Sequence, residues 1–247
     1  MSTRGLRLAS LLLAGLILAL FAGAVHAHAD NGIVTAINAA VRPVSAWDRV
    51  IALGIALICL VGAATIATRG RPQNFMIGAD NRYSKSQTQL VLWFGTVATV
   101  YAASVALRIV VLGWDYVGGV DLPANLIALT GLSAFSFGGA KVLTTAKVDA
   151  AAQRGEPRVK TSADSPNLLT DLFQNDKGQA DLGDFQMILV TLVAVTIFLL
   201  SAFHFLGILE LPPRVSLPDI DSTLLASFGI GQGAYLVKKA AGRPGEA

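Results

Sequence analysis

The sequence predicts an all-α, polytopic helical membrane protein, and three observations support this fold class. Apolar residues make up 53% of the 247 residues and charged residues only 14%, against roughly 25% charged residues in soluble domains. Long charge-free segments recur along the chain, and most Lys and Arg residues lie between alternate segments. The composition excludes a disordered chain, a coiled coil and a basic nucleic-acid-binding arm. We therefore expect the lipid bilayer as a partner and no nucleic acid.

The first 29 residues have the three parts of a secretory signal peptide. Arg4 and Arg7 form the basic start, residues 8–25 carry no charge, and Ala27 and Ala29 are small residues at a typical cleavage site. The apolar part is longer than the usual 7–15 residues, so an uncleaved anchor is the alternative. His26 and His28 would leave with a cleaved peptide and are therefore no candidates for a metal site.

Five further segments are predicted to cross the membrane as helices. Each has 16–24 residues without a formal charge, and a hydrocarbon core of about 30 Å needs about 20 helical residues. These segments are residues 50–68, 89–107, 122–140, 186–209 and 222–237. Their lengths favour membrane helices over the shorter alternating strands of a barrel.

The same pattern divides the chain into six parts. They are a signal peptide (1–29), a periplasmic segment (30–49), membrane helices 1–3 (50–140), a cytoplasmic linker (141–185), membrane helices 4 and 5 (186–237) and a cytoplasmic tail (238–247). Residues 30–46 are expected to form a short amphipathic helix, because Ile33, Ile37 and Val41 fall at helical spacing. Within the linker, 167–173 is expected to form one or two turns of interfacial helix, followed by a turn at 175–178.

The distribution of positive charge predicts the orientation. Fifteen Lys and Arg residues fall on one side of the predicted segments and three on the other, while Arg108 lies within a segment. Cytoplasmic loops of membrane proteins retain Lys and Arg. We therefore expect a mature N-terminus outside and a cytoplasmic C-terminus.

The last four segments form two helical hairpins with a common plan. Gln89 and Gln186 open the two hairpins 97 positions apart, and Gly131 and Gly229 lie in their second helices 98 positions apart. Both hairpins begin inside, so the pattern predicts two parallel repeats. The alternative is two ordinary hairpins made similar by bilayer composition. The two glutamines are expected to hydrogen-bond between hairpins or to headgroups.

The second helix of each hairpin is rich in small residues. The candidate packing or pore-lining residues are Gly131, Ser133, Gly138, Gly229, Gln232 and Gly233. Small residues allow helix backbones to approach closely in lipid, which favours helix packing. A partly broken helix that lines a pore, with Gln232 facing the lumen, is the alternative.

Two ionisable residues fall inside the predicted spans at corresponding positions. Arg108 and His204 both lie toward the outer end of the first helix of their hairpin. The simpler interpretation is that both side chains reach the interface and water. The sharper hypothesis is a paired polar membrane site near the outer surface that includes Glu210 or Asp115.

A resemblance rests on two stretches of the chain. The Ser-x-x-Gln helix start at 86–89 and the Gly-Ile-Gly-Gln-Gly-Ala-Tyr-Leu-Val-Lys-Lys ending at 229–239 resemble uncharacterised multi-pass membrane proteins of bacteria. The likeness covers about residues 80–240. It implies a bacterial cell membrane and brings no activity or catalytic residue.

The chain lacks several common sequence motifs of catalysis. It contains no HExxH, GxSxG or phosphate-binding loop and no paired carboxylates within a span. We therefore expect no enzyme activity, catalytic residue, metal site or cofactor. The predicted function is a membrane scaffold, assembly or binding protein that self-associates through its Gly-rich helices or joins other membrane proteins. The alternative is a small channel or transporter with a path between those helices.

Overall fold

The computed structural model describes residues 41–155, 163–174, 182–210, 212 and 214–241. The predicted signal peptide, the turn at 175–178 and the end of the tail lie outside the described residues. The helices are α1 (Ala46–Ala67), α2 (Lys85–Leu112), α3 (Ala124–Gln153), α4 (Leu168–Phe173), α5 (Leu182–Phe205) and α6 (Ser222–Ala241). Four short strands accompany them: β1 (Val41–Pro43), β2 (Val120–Asp121), β3 (Ile208–Glu210) and β4 (Val215–Ser216).

Four helices in the described part of the chain are long and apolar enough to cross a membrane. They are α1, α2, α3 and the part of α5 from Phe185 to Phe205. The expectation of a helical, multi-pass membrane protein is thereby confirmed. The fifth predicted span is also helical, as α6, but it is not among the four. Its apolar run is interrupted by glycines and Gln232 and ends at a lysine pair, so its membrane crossing stays a prediction.

The helix starts use local capping. Ser45 precedes α1, where its Oγ accepts a hydrogen bond from the Asp48 amide (3.1 Å) and donates one to Asp48 Oδ2 (2.7 Å). Asp221 precedes α6 and accepts from the Thr223 amide at 2.7 Å. Asn167 accepts from two amides at the start of α4. These side chains satisfy backbone donors that have no partner within the helix.

Two helix ends differ from the predicted segment ends. Helix α3 continues to Gln153, because the residues that follow the charge-free segment are mostly good helix formers, namely Ala, Leu, Lys and Gln. Helix α5 ends at Phe205, and the last residues of the predicted fourth segment enter β3 instead. Absence of charge therefore locates the apolar part of a helix and not its ends.

The amphipathic helix expected over residues 30–46 is wrong at its described end. Residues Val41–Pro43 form β1, which pairs antiparallel with β3. The amide of Val44 continues this pairing with a 2.9 Å hydrogen bond to the Gly207 carbonyl. Residues 30–40 lie outside the described part of the chain. The distant strand β3 supplies the backbone partners that decide for extended structure at residues 41–43.

The chain divides into two compact units. Among the described residues, the first unit holds 41–72, 95–123 and 198–219, and the second holds 73–94, 124–197 and 220–241. In the first unit, α1, the C-terminal part of α2 and the segment after α5 share one apolar core. Its buried residues are Val44, Ala52, Ala56, Ala103, Leu107, Leu206 and Leu209.

The segments that join the two helices of each hairpin pair with each other in the first unit. Strands β2 and β4 run parallel, with Val120 opposite Val215. The Val215 amide donates to the Gly119 carbonyl at 2.7 Å, and the Leu217 amide donates to the Asp121 carbonyl at 3.0 Å. Gly118 and Gly119 enter β2 with φ values of 79° and 67°, which glycine adopts without steric cost.

The second unit is organised around α3 and α6. A Cβ atom added to Gly229 would lie 3.7 Å from Leu132, and one added to Gly139 would lie 3.3 Å from Leu236. The contact positions advance together along both helices, so α3 and α6 pack parallel. The Asn125 amide group adds a 3.0 Å hydrogen bond to the Ile220 carbonyl at the start of the pair.

Candidate functional site

Arg108 is a fully buried cation of the first unit. Its side chain is 1% exposed. Nη1 donates to the Glu210 carbonyl at 2.9 Å, and Nη2 donates to the Pro212 carbonyl at 2.8 Å. The Tyr116 ring lies 5.5 Å from the guanidinium carbon. Arg108 therefore binds the backbone of the segment that follows β3 and does not reach water as the simpler interpretation expected.

Arg49 makes an equivalent contact from α1. Its Nη1 donates to the Phe203 carbonyl at 2.9 Å, and the guanidinium carbon lies 4.4 Å from the centroid of the Phe203 ring. Gly207 leaves space for this side chain, because a Cβ there would come within 2.9 Å of Arg49 Nη1. Arg49 and Arg108 together hold the segment 203–212, which we call the clasped segment. Sequence reasoning missed Arg49, since it lies just before an apolar segment, where arginine is ordinary.

His204 and Arg108 have different surroundings. His204 is exposed on α5, whereas Arg108 is buried and binds carbonyl groups of other residues. Within the described residues, no hydrogen bond or ion pair joins the two side chains. The Glu210 named in the sharper hypothesis does contact Arg108, but through its backbone carbonyl. A joint role of Arg108 and His204 stays a prediction.

The glycines of α3 and α6 fall into two groups. Gly139 and Gly229 receive leucine side chains across the α3–α6 interface. A Cβ added to Gly131, Gly138, Gly231 or Gly233 would meet no atom within 4 Å. Gly131, Gly138 and Gly233 are exposed. Among the described residues, helix packing therefore uses two of these glycines, and a Cβ at the others has no neighbour within 4 Å.

Polar side chains lie between the same two helices. The Leu132–Gly229 and Gly139–Leu236 contacts flank Ser136 and Gln232, which share the contact faces at helical spacing. Both are buried, Gln232 at 3% exposure. Ser136 Oγ and Gln232 Oε1 have no hydrogen-bond partner among the described residues. Ser133, one turn earlier, is also buried but donates to the Leu129 carbonyl at 3.0 Å.

The start of α2 adds further buried polar groups to the second unit. Gln89 is fully buried, and neither Oε1 nor Nε2 has a partner in the described part of the chain. Thr88 Oγ1 and Gln87 Oε1 are also buried atoms without a hydrogen-bond partner among the described residues. The hydrogen bond expected of Gln89 to another hairpin is not formed within those residues, and Gln186 is exposed. One turn along α2, Trp93 makes a hydrogen bond between the two helices of its own hairpin, since its Nε1 donates to Thr130 Oγ1 of α3 at 2.9 Å.

These groups are neutral hydroxyls and amides. They can bind water, a small polar solute or a partner's polar group, but they supply neither a nucleophile with its base nor a charged acid. In the described residues, no three His, Cys, Asp or Glu side chains lie close enough together to hold a metal ion.

Comparison of the chain with protein-family models, with curated proteins and with solved structures finds no match. The resemblance to bacterial multi-pass membrane proteins therefore stays a prediction. Function must be inferred from the geometry of this chain.

Proposed function

We propose that the protein is a non-enzymatic membrane scaffold that self-associates through the outer face of α3. This face comprises Ile127, Gly131, Phe135, Gly138 and Val142. Its three large residues are 56–69% exposed, and its two glycines have no neighbour within 4 Å. The open space at these glycines is the observation that carries the proposal.

Glycine inside a membrane helix is unfavourable unless it allows another helix to pack closely. An interior glycine costs roughly 1 kcal/mol relative to alanine, and Gly131 and Gly138 gain no packing contact from the described part of the chain. Lipid tails are as apolar as the side chains, so helices associate in a bilayer by close packing at small residues. A second copy of α3 fits this requirement, because its large residues would occupy the space beside Gly131 and Gly138.

Cross-linking between copies tests the proposal directly. The chain contains a single cysteine, Cys59, so a Cys59→Ala background allows one cysteine to be placed at will. We expect Gly138→Cys to form a disulfide-linked dimer in native membranes, whereas Ala140→Cys, at a buried position, does not. Equal cross-linking at both positions, or none at Gly138, would contradict the proposal.

A bulky substitution tests the same face without cross-linking. Gly138→Leu should lower the dimer fraction, since its side chain would occupy the space that the second copy needs. Gly54→Leu on α1 is the matched control, because a Cβ at Gly54 also meets nothing within 4 Å. An equal effect of both substitutions would point to a general disturbance of the helices.

A small channel or transporter is the second candidate. It is supported by the buried oxygens of Gln89, Ser136 and Gln232, which lack partners within the described residues. Flux of glycerol and K⁺ into protein-containing liposomes measures this activity. A flux that Gln232→Leu abolishes and Gly54→Leu leaves intact would support the channel, and absence of flux in the unmodified protein would eliminate it for these solutes.

The proposal includes an architecture of five spans after a signal peptide, with two parallel hairpin repeats in an inner membrane. The α3–α6 contacts join residues 97 positions apart, and the β2–β4 pairs join residues 95 positions apart. Both separations are close to the 97–98 positions of the sequence repeat, so corresponding positions contact each other. The orientation rests on the distribution of Lys and Arg. A phosphatase fusion active at residue 160 would contradict the cytoplasmic linker.

A further inference from the structure

A cluster of lysines lies where the apolar parts of α3 and α6 end. Lys147 Nζ of α3 donates to the carbonyl of Lys239 on α6. Lys141 and Lys238 are 97 positions apart, the same separation as in the packing contacts, and so lie at one level of this parallel pair. We call these four residues the lysine cluster. Asp149 is the one acidic residue in the sequences of the two helices, so these helices contribute four positive charges and one negative charge.

Two aromatic rings lie next to the cluster on its apolar side. Lys141 Nζ lies 5.9 Å from the Phe137 ring, and Lys239 Nζ lies 5.6 Å from the Tyr235 ring and 3.4 Å from its hydroxyl. Aromatic and basic side chains at the end of an apolar helix are typical of the boundary between hydrocarbon and headgroups.

Helix α4 marks the same boundary independently. Its Leu172 packs with Ala140 of α3 and Tyr235 of α6 in one apolar core, next to the lysine cluster. Two further leucines of α4, Leu168 and Leu169, are 45% and 68% exposed. A short helix with exposed leucines beside basic residues fits an interfacial position, in which the leucines enter the acyl region.

The position of α4 is fixed by polar contacts within the second unit. Asp171 Oδ2 accepts hydrogen bonds from the Tyr83 amide (3.0 Å) and the Asn167 amide (2.9 Å). Lys85 Nζ donates to the Gln174 carbonyl at 2.9 Å. The exposed leucines are therefore held beside the lysine cluster by the fold, and the Asp171 carboxylate is already engaged by backbone donors.

We propose that the lysine cluster binds the phosphate headgroup of an anionic phospholipid, whose acyl chains lie along the exposed leucines of α4. Phosphate oxygens accept hydrogen bonds from several ammonium groups at once, and basic pockets between membrane helices bind such headgroups. The combination of lysines with an apolar surface at one level favours a lipid over a soluble anion, because a soluble anion gains nothing from the leucines.

Lipid binding by the purified full-length protein tests this inference. Phosphatidylglycerol and phosphatidylcholine would each be titrated into detergent-solubilised protein and counted by native mass spectrometry. Lys141→Gln combined with Lys238→Gln should weaken phosphatidylglycerol binding by about fivefold per lysine and leave phosphatidylcholine binding unchanged. These two lysines are chosen because Lys147 and Lys239 contact each other and contribute to helix packing.

Three controls make the outcome decisive. Arg69→Gln with Arg71→Gln removes the same charge from exposed positions after α1 and should leave phosphatidylglycerol binding intact. Lys141→Arg with Lys238→Arg should retain it, which separates charge from loss of folding. Leu169→Gln should weaken lipid binding and not the binding of inorganic phosphate.

Each contrary result overturns the inference. Equal losses in the lysine and arginine variants would mean that only total charge matters. Equal binding of the two lipids would exclude headgroup recognition. Inorganic phosphate that displaces the lipid at equal concentration, with the same dependence on the lysines, would make the occupant a soluble anion. None of these measurements depends on self-association through α3.

Discussion

The two units treat their buried polar side chains differently. In the first, Arg108 and Arg49 donate to backbone carbonyls, and Ser45 and Asp48 bond to each other. Single atoms there lack partners, such as Arg108 Nε and Asp48 Oδ1, but each belongs to a side chain bonded through another atom. In the second, Gln89 and Ser136 are fully buried, and no described residue is a partner for the Gln89 amide or the Ser136 hydroxyl.

This difference follows from the cost of burying each kind of group. A guanidinium without partners costs several kcal/mol to bury, so the fold must provide acceptors for Arg108. A hydroxyl or amide without a partner costs about 1–3 kcal/mol, which a fold can tolerate. We infer that the arginines of the first unit stabilise structure, whereas the neutral groups of the second are available for a polar occupant.

The largest expected effect is from Arg108→Met. It removes two charge-assisted hydrogen bonds and leaves the Glu210 and Pro212 carbonyls without their donor, so we expect a loss of about 3 kcal/mol. Thermal unfolding in detergent, followed by circular dichroism, measures it.

His204→Met is the control for this change, since His204 is exposed and its loss should be within about 0.5 kcal/mol. The double variant should show no coupling between the two sites. A large coupling energy would restore the paired site that the sequence predicts.

A smaller effect is expected for Trp93→Phe, at a polar contact of the second unit that is satisfied. The substitution removes the donor to Thr130 Oγ1 and part of a buried ring, at a cost of about 1–2 kcal/mol. Thr130→Val removes the acceptor, and a double-mutant cycle in the same unfolding assay should assign about 1 kcal/mol to the pair. A coupling near zero would show that the ring alone stabilises the contact.

Gln232→Leu should change stability by less than about 1 kcal/mol, and in the stabilising direction, because it removes a buried acceptor that has no partner among the described residues. Ser136→Ala should behave in the same way. Chemical unfolding of both variants beside Arg108→Met compares the two units directly. A destabilisation of either variant as large as that of Arg108→Met would show that the second unit depends on these groups for structure.

The smallest expected effect concerns pH and the start of α6. The Thr223 hydroxyl and the backbone amides of Thr223 and Leu224 donate to Asp221 and hold the pKa of its carboxyl below the ordinary value. As pH falls, the Asp221 carboxyl is therefore protonated in the unfolded chain before it is protonated in the folded protein. The stabilisation is complete above about pH 4 and is lost as pH falls through the lowered pKa. Asp221 is fully exposed, which keeps the effect small.

Amide hydrogen exchange at Leu225 measures this contribution, since its amide donates to the Asp221 carbonyl in the first turn of α6. Protection should fall below pH 4 in the unmodified protein and remain flat with pH in Asp221→Ala. The same pH dependence in both proteins would assign the change to another group.

The predictability of the fold depended on which interactions were local. Apolar runs located all of the long helices, because burial in lipid is decided by composition within about 20 residues. The short helix expected within 167–173 is confirmed as α4, and Asn167 caps its start. Sequence reasoning missed β1, because β1 exists only through β3, which lies more than 160 positions further along the chain.

The candidate site was predicted in part for the same reason. Arg108, Gln232 and the glycines could be named from the sequence, since polar or small residues are conspicuous in apolar segments. Their partners could not be named from the sequence, because the groups that accept hydrogen bonds from Arg108 are backbone carbonyls, which every residue carries. Ser136 was indistinguishable from Ser133 by sequence, although one hydroxyl is bonded to its own helix and the other has no partner in the described residues.

The sequence alone determined that this chain is a multi-pass helical membrane protein, because hydropathy summed over each segment decides between lipid and water. It also identified the small-residue helices, since glycine content is a local property. Tertiary structure alone decided that the two arginines hold the clasped segment, that α3 and α6 run parallel in register, and which glycines face open space. These outcomes depend on the direction of each side chain and on which distant backbone it meets, and no local pattern encodes either.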